Sequence, residues 1–246
     1  MSEVDDALRA ASRIERPWLA PIADAARCVA RTDPDLALHE RLGVAAASPR
    51  FVAQDDLPPD EAYEAFIARS GCVPTRDNVH DLFNGLMWLS FPSLKKRLNL
   101  LQAAQIGRDG VGSTRGAVRD TLTLFDENAA LWAPPPVLAD ALRRRDWRSL
   151  FVLHREDWNE APPPLLFGHA LLEKLQHPRP AITTHVWLAP FGEDPVAWWT
   201  ETLDAASAAA RPWHPLQVLG VPGWWAANED PDFYADATVF RPPPLG

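Results

Sequence analysis

The sequence predicts an α+β fold that is predominantly helical, and three observations predict it. Apolar residues recur at helical spacing over most of the chain. Strand-like alternation is confined to short stretches such as Thr121–Leu124 and Ala181–Ala189. The 25 prolines, about twice the usual frequency, cluster between such stretches and punctuate elements. No internal repeat and no Gly/Ser linker divides the 246 residues. The expectation is one globular domain over 1–246, helices packed around a small β-hairpin or sheet, with 1–50 as a helical N-terminal extension on the core.

In chain order, the first fifty residues read as alanine-rich amphipathic helices broken at Pro17, Pro21 and Pro34. Asp60–Ser70 reads as a short helix, entered after Pro58-Pro59 and ended by Gly71. Asp77–Ser90 and Ser93–Ile106 form a helix pair split at Phe91-Pro92. Gly107–Gly116 is a glycine-rich loop without the pattern of a phosphate cradle. Asp120–Phe125 and Ala129–Trp132 flank an acidic Asp126-Glu127-Asn128 turn and read as a β-hairpin. Helices follow at Pro136–Arg145 and Leu165–His177, a strand at Ala181–Ala189 and a helix at Pro195–Ala210. The tail from Leu216 to Pro242 reads as irregular with one or two short strands.

Composition excludes several classes. With 47% hydrophobic and 23% charged residues, the chain can bury a core and is not disordered as a whole. Eleven tryptophans must be buried or line pockets. A net charge of −9 argues against a general nucleic-acid binder. The basic runs Lys95-Lys96-Arg97 and Arg143-Arg144-Arg145 read as solvated helix faces. No apolar run reaches the ~18–20 residues of a membrane span, and the acidic start does not resemble a signal peptide. A cytoplasmic protein is expected. Cys28 and Cys72 make no disulfide framework and read as reduced thiols, although a Cys72/His80 pair is conceivable from spacing.

Chemistry concentrates on two helices. At 100° per residue, Val79, Leu82, Phe83 and Leu86 form one side of Asp77–Ser90, while Asp77, His80, Asp81, Asn84 and Trp88 converge on the other. A merely solvated face would favour Lys, Glu and Gln, so Asp, His and Asn in this pattern point to a pocket wall. The competing reading makes Asp77 and Asn78 helix caps and His80 a surface hydrogen-bond partner. In Leu165–His177, His169, Glu173 and His177 stack at i, i+4, i+8, which suits either metal chelation or a His–Glu hydrogen bond. His177, before Pro178, also suits a helix C-terminus.

If the two helices face each other, His80, Asp81, His169 and Glu173 would hold Zn, Mn or Fe. The best functional reading is then a metal-assisted hydrolase, with His80, Asp81, Asn84 and Glu173 as catalytic residues. The alternative is a binding module for a small molecule or peptide, lined by Arg76, Asp77, Trp88, Trp224 and Trp225. A third reading makes both stripes internal hydrogen-bond networks.

The blocks Pro74–Asn84, Met87–Pro92 and Lys96–Asn99 resemble a bacterial family of unknown function, domain-of-unknown-function family 3025, found in proteobacteria. Leu122–Asn128, Phe167–Lys174, Leu219–Trp225, Phe233-Tyr234 and Val239–Pro242 extend the resemblance over most of the chain after about residue 50. It implies that these blocks share one domain and carries no reaction with it. Looser resemblances are to HNH nucleases, whose second metal histidine and ββα order are missing here. HD phosphohydrolases are echoed through His80-Asp81, with His39 and Asp126 as outer ligands.

Overall fold

A computed structural model describes residues 2–45, 48–109, 116–160 and 162–242. Positions 110–115, most of the glycine-rich loop, lie outside them, while Gly107–Asp109 continue the preceding helix.

The N-terminal region is helical. Helix α1 (Glu3–Arg13) is opened by a reciprocal Ser2/Asp5 capping box. A 3-10 turn over Pro17–Ile22 leads into α2 (Ala23–Val29) and then α3 (Leu38–Ala45). A parallel two-stranded sheet follows, with β1 (Arg50–Ala53) pairing β2 (Cys72–Thr75) across α4 (Tyr63–Ser70). Gly71 ends α4 in the left-handed region at φ 68°, where a side chain would be strained.

Helix α5 (Val79–Ser90) is capped by the Asn78 side chain, which accepts the Asp81 N–H at 2.7 Å. It is buried from Asp81 through Trp88, so both its apolar and its polar faces are inside. The expected break at Phe91-Pro92 is present, and α6 runs Pro92–Asp109.

The expected hairpin over 120–132 is corrected. Residues Ala117–Asn128 form helix α7, and only Ala129–Trp132 is a strand, β3. The Thr/Leu alternation imitates a strand, but Leu122 and Phe125, three apart, both reach 0% exposure on one helical face. The Thr121 hydroxyl donates to the carbonyl of Ala117 one turn back, and Asp126-Glu127-Asn128 is the last turn of α7.

Helix α8 (Pro136–Arg144) matches expectation. The helix expected over Leu165–His177 is shorter and preceded by a strand. Leu165–Leu166 form β4, antiparallel to β3, and α9 spans only His169–Lys174. The prolines at 162–164 favour extended backbone up to that pairing. Strand β5 (Thr183–Leu188) lies parallel to β3, and β6 (Trp213–Gln217) closes the order β4-β3-β5-β6. The helix expected over 195–210 divides into α10 (Pro195–Thr202) and α11 (Ala205–Ala209), each capped by an aspartate, Asp194 and Asp204.

One hydrophobic cluster runs from Ala7 on α1 to Phe240 in the tail. The tail is organised by polar groups as much as by burial. Asn228, fully buried, donates from Nδ2 to the carbonyls of Leu219 and Val221, both at 2.8 Å. No described helix is long and apolar enough to cross a membrane.

Candidate functional site

Helices α5, α6, α7 and α9 meet around a cavity of about 310 Å³, and each contributes a chemically capable side chain. His80 comes from the first turn of α5, Lys95 from α6, Asp126 from α7 and His169 from the start of α9.

The two histidines meet edge to face, Nε2 to Nε2 at 3.1 Å, with ring planes at 81°. Each ring is held from its other nitrogen. His80 Nδ1 lies 2.8 Å from Glu173 Oε2, and an ionised carboxylate only accepts, so Nδ1 carries the hydrogen. His169 Nδ1 lies 2.8 Å from the Asp126 carbonyl, again an acceptor. With both Nδ1 hydrogens committed elsewhere, the two Nε2 atoms face each other at 3.1 Å. Such an arrangement needs a proton or a cation between them.

His169 is brought there by Gly168. The glycine N–H donates to the Ala129 carbonyl at 2.9 Å, and a Cβ at this position would sit 2.5 Å from backbone atoms of Glu127 and Asn128. Only glycine permits α9 to start this close to the end of α7.

Burial pushes the pKa of His169 down to about 4, aided by the nearby Lys95 and His80 charges and opposed by Asp126. Burial works the other way on Asp126 and would raise its pKa. Lys95, then His169 and His80, outweigh that effect and hold it below the usual carboxylate value.

Lys95 corrects an expectation. The basic run predicts a solvated side chain there, yet Lys95 is 3% exposed. Its ammonium donates to Asn84 Oδ1 at 2.8 Å and to Asp126 Oδ1, and lies 5.4 Å from the centre of the Trp88 ring. An ammonium has three donors, so one remains after these two bonds. Asn84 in turn donates to the Tyr63 hydroxyl at 2.9 Å. Sequence reasoning missed both Lys95 and Tyr63, and no local pattern marks either.

The other expected site residues divide. Asn84, Trp88 and Arg76 line the cavity. Asp81 also borders it, but both carboxylate oxygens are taken by Arg76: Oδ2 by the backbone N–H at 2.7 Å and by Nε at 3.1 Å, Oδ1 by Nη2 at 2.9 Å. Glu173 holds the far nitrogen of His80, so it orients a candidate ligand instead of being one. Among the described residues, no three His, Cys, Asp or Glu side chains have the arrangement to hold a metal ion by themselves.

Asp77 does not face the cavity; its carboxylate accepts the Leu38 N–H at 2.6 Å and ties α3 to α5. Trp224 and Trp225 do not line it either. Trp224 packs against Trp18 at 5.8 Å in a separate place, and Trp225 packs on the core. Their position follows from the path of the tail, which has no local signature. His39, Cys72 and His177 are absent from the cavity wall, and Cys72 Sγ instead lies 3.1 Å from Arg50 Nη2.

No curated protein and no solved structure matches the chain. A family model described as "Protein of unknown function (DUF3025)" matches residues 49–243, which include His80, Lys95, Asp126, His169 and Glu173. The chain belongs to the DUF3025 family.

Proposed function

We propose that the protein is a metal-assisted hydrolase whose metal is held by His80 and His169. The observation that carries this reading is the 3.1 Å approach of two Nε2 atoms whose partner nitrogens are both committed as donors. A separation of 3.1 Å is short enough for both nitrogens to ligate a single ion at ordinary nitrogen–metal distances. The Glu173 and Asp126 oxygens behind the rings resemble the supports that fix tautomer and orientation in metal-bound histidines.

The bound ion would polarise the substrate and lower the pKa of a water held in its open positions. Two protein ligands leave several such positions, to be filled by water and substrate. Glu127, a residue of the cavity wall, would take the proton of the attacking water and return it to the leaving group. The third N–H of Lys95 is available to negative charge that develops on the substrate oxygen. Four carboxylates line the cavity (Glu64, Asp81, Asp126, Glu127) against two cations, Arg76 and Lys95, which disfavours phosphate esters and favours uncharged or cationic substrates.

The test is titration of chelator-treated protein with Zn²⁺, Mn²⁺ and Fe²⁺ by calorimetry. One ion per chain is expected, with binding lost in both His80→Ala and His169→Ala. If the wild type takes up no more metal than these variants, the reading fails. The same contact then supports a second reading, in which a proton occupies the space and His80, oriented by Glu173, gives that proton to a leaving group as a metal-free general acid.

A further inference from the structure

A second cavity, of about 600 Å³, shares no wall residue with the first. It opens between the Pro17–Ile22 turn, β3, the prolines at 162–164 and the turn at Phe191–Pro195. Its size falls within the roughly 300–1,000 Å³ of small-molecule pockets.

Its walls are aromatic and fixed. Trp18 and Trp224 meet at 5.8 Å. Trp132 stacks on Trp158 at 4.6 Å and donates its indole N–H to the Pro162 carbonyl at 3.1 Å. All three wall tryptophans are less than 9% exposed, so each is packed into the core and presents only a small part of its ring to the space. At the mouth stands Phe191, 51% exposed, followed by Gly192 in the left-handed region at φ 89°.

Every charged residue described on the wall is acidic: Glu160, Glu193 and Asp194. The Asp194 carboxylate is occupied, accepting the N–H groups of Val196 and Ala197 at 2.8 Å. Glu160 and Glu193 form no ion pair among the described residues. A largely apolar wall that also carries two exposed glutamates without an ion pair among the described residues complements a molecule with a greasy body and a positive head. The Trp18 ring already accepts one cation, the guanidinium of Arg16 at 5.9 Å from its centre.

We propose that this cavity binds a small organic cation, an amine with an aromatic or aliphatic body, its ammonium held between Glu160 and Glu193 and its body against Trp18, Trp132 and Trp224. This site is independent of the histidine pair and of any reaction there. It also gives Trp224 a ligand-facing role, away from the cavity where sequence reasoning placed it.

Three probes of one shape test it: phenylbutylammonium, phenylbutanol and phenylbutyrate, each titrated into the full chain with tryptophan fluorescence as readout at low salt. The amine should quench saturably and bind about tenfold more tightly than the alcohol, with the carboxylate weakest. In a Glu160→Gln/Glu193→Gln variant the amine should fall to about the affinity of the alcohol, whose own affinity stays unchanged and reports an intact pocket. The proposal is overturned if no probe saturates, if the alcohol binds as tightly as the amine, or if the double variant keeps the preference for the amine.

Discussion

Gly168 and Asn128 approach so closely that a Cβ on the glycine would lie 2.5 Å from the Asn128 backbone nitrogen. The obstacle is main chain, which cannot rotate aside. Gly168→Ala should therefore push α9 from α7, cost about 1–3 kcal/mol as overpacking does, and move His169 Nδ1 off the Asp126 carbonyl. Urea denaturation measures the first effect, and histidine NMR shifts the second. A variant as stable as wild type, with unchanged shifts, would mean the backbone relaxes freely there.

The His169 pKa fixes the sign of a pH effect. Its folded value, about 4, is below the unfolded reference of 6.5, so between these values the unfolded chain binds more protons. Stability is constant on this account above about pH 6.5 and falls as pH drops towards 4, by an amount of order 3 kcal/mol. Asp126 adds a later loss, because its carboxylate is held below the ordinary value and must be protonated as pH falls further. Denaturation curves at successive pH values should show the first decline in wild type and lose it in His169→Gln.

Lys95 and Asp126 offer a separable test. Lys95→Met removes the largest influence lowering the Asp126 pKa and leaves Asn84 Oδ1 without its donor. A cost of about 3 kcal/mol is expected, since one member of a buried pair is left uncompensated. Adding Asp126→Asn should recover part of it, and the double-mutant cycle gives the coupling. Strict additivity would show that the two groups do not sense each other.

The placement of His80, Asn84 and Trp88 on a cavity wall was legible because poor helix formers occupied one whole face of an otherwise apolar helix. His169 and Glu173 were legible as one stripe, and their meeting with His80 needed only that α5 and α9 pack together. Lys95 was not legible: a lysine inside Lys95-Lys96-Arg97 differs from its neighbours only in which way α6 turns it. The α7 helix was hidden by threonines that alternate with leucines, a pattern that fits both periods over so few residues. Gly168 carried no sign of its role, since the backbone it must clear belongs to a distant stretch of chain.

Glu173 provides the sharpest separation between structure and function. Its side chain is 44% exposed and that of His80 36%, so their contact contributes little to folding, under about 1 kcal/mol. Its effect on Nε2 of His80 is different in kind. A carboxylate at Nδ1 raises the electron density of the ring and holds Nε2 toward His169. Glu173→Gln preserves a carbonyl acceptor for Nδ1 but removes the charge. On the proposed metal-binding reading, affinity for the ion should then drop by about 10–100-fold while the unfolding midpoint hardly moves. Calorimetric titration beside thermal denaturation reads both quantities on one preparation. Unchanged affinity would make Glu173 a bystander, and a large loss of stability would return the pair to a structural role.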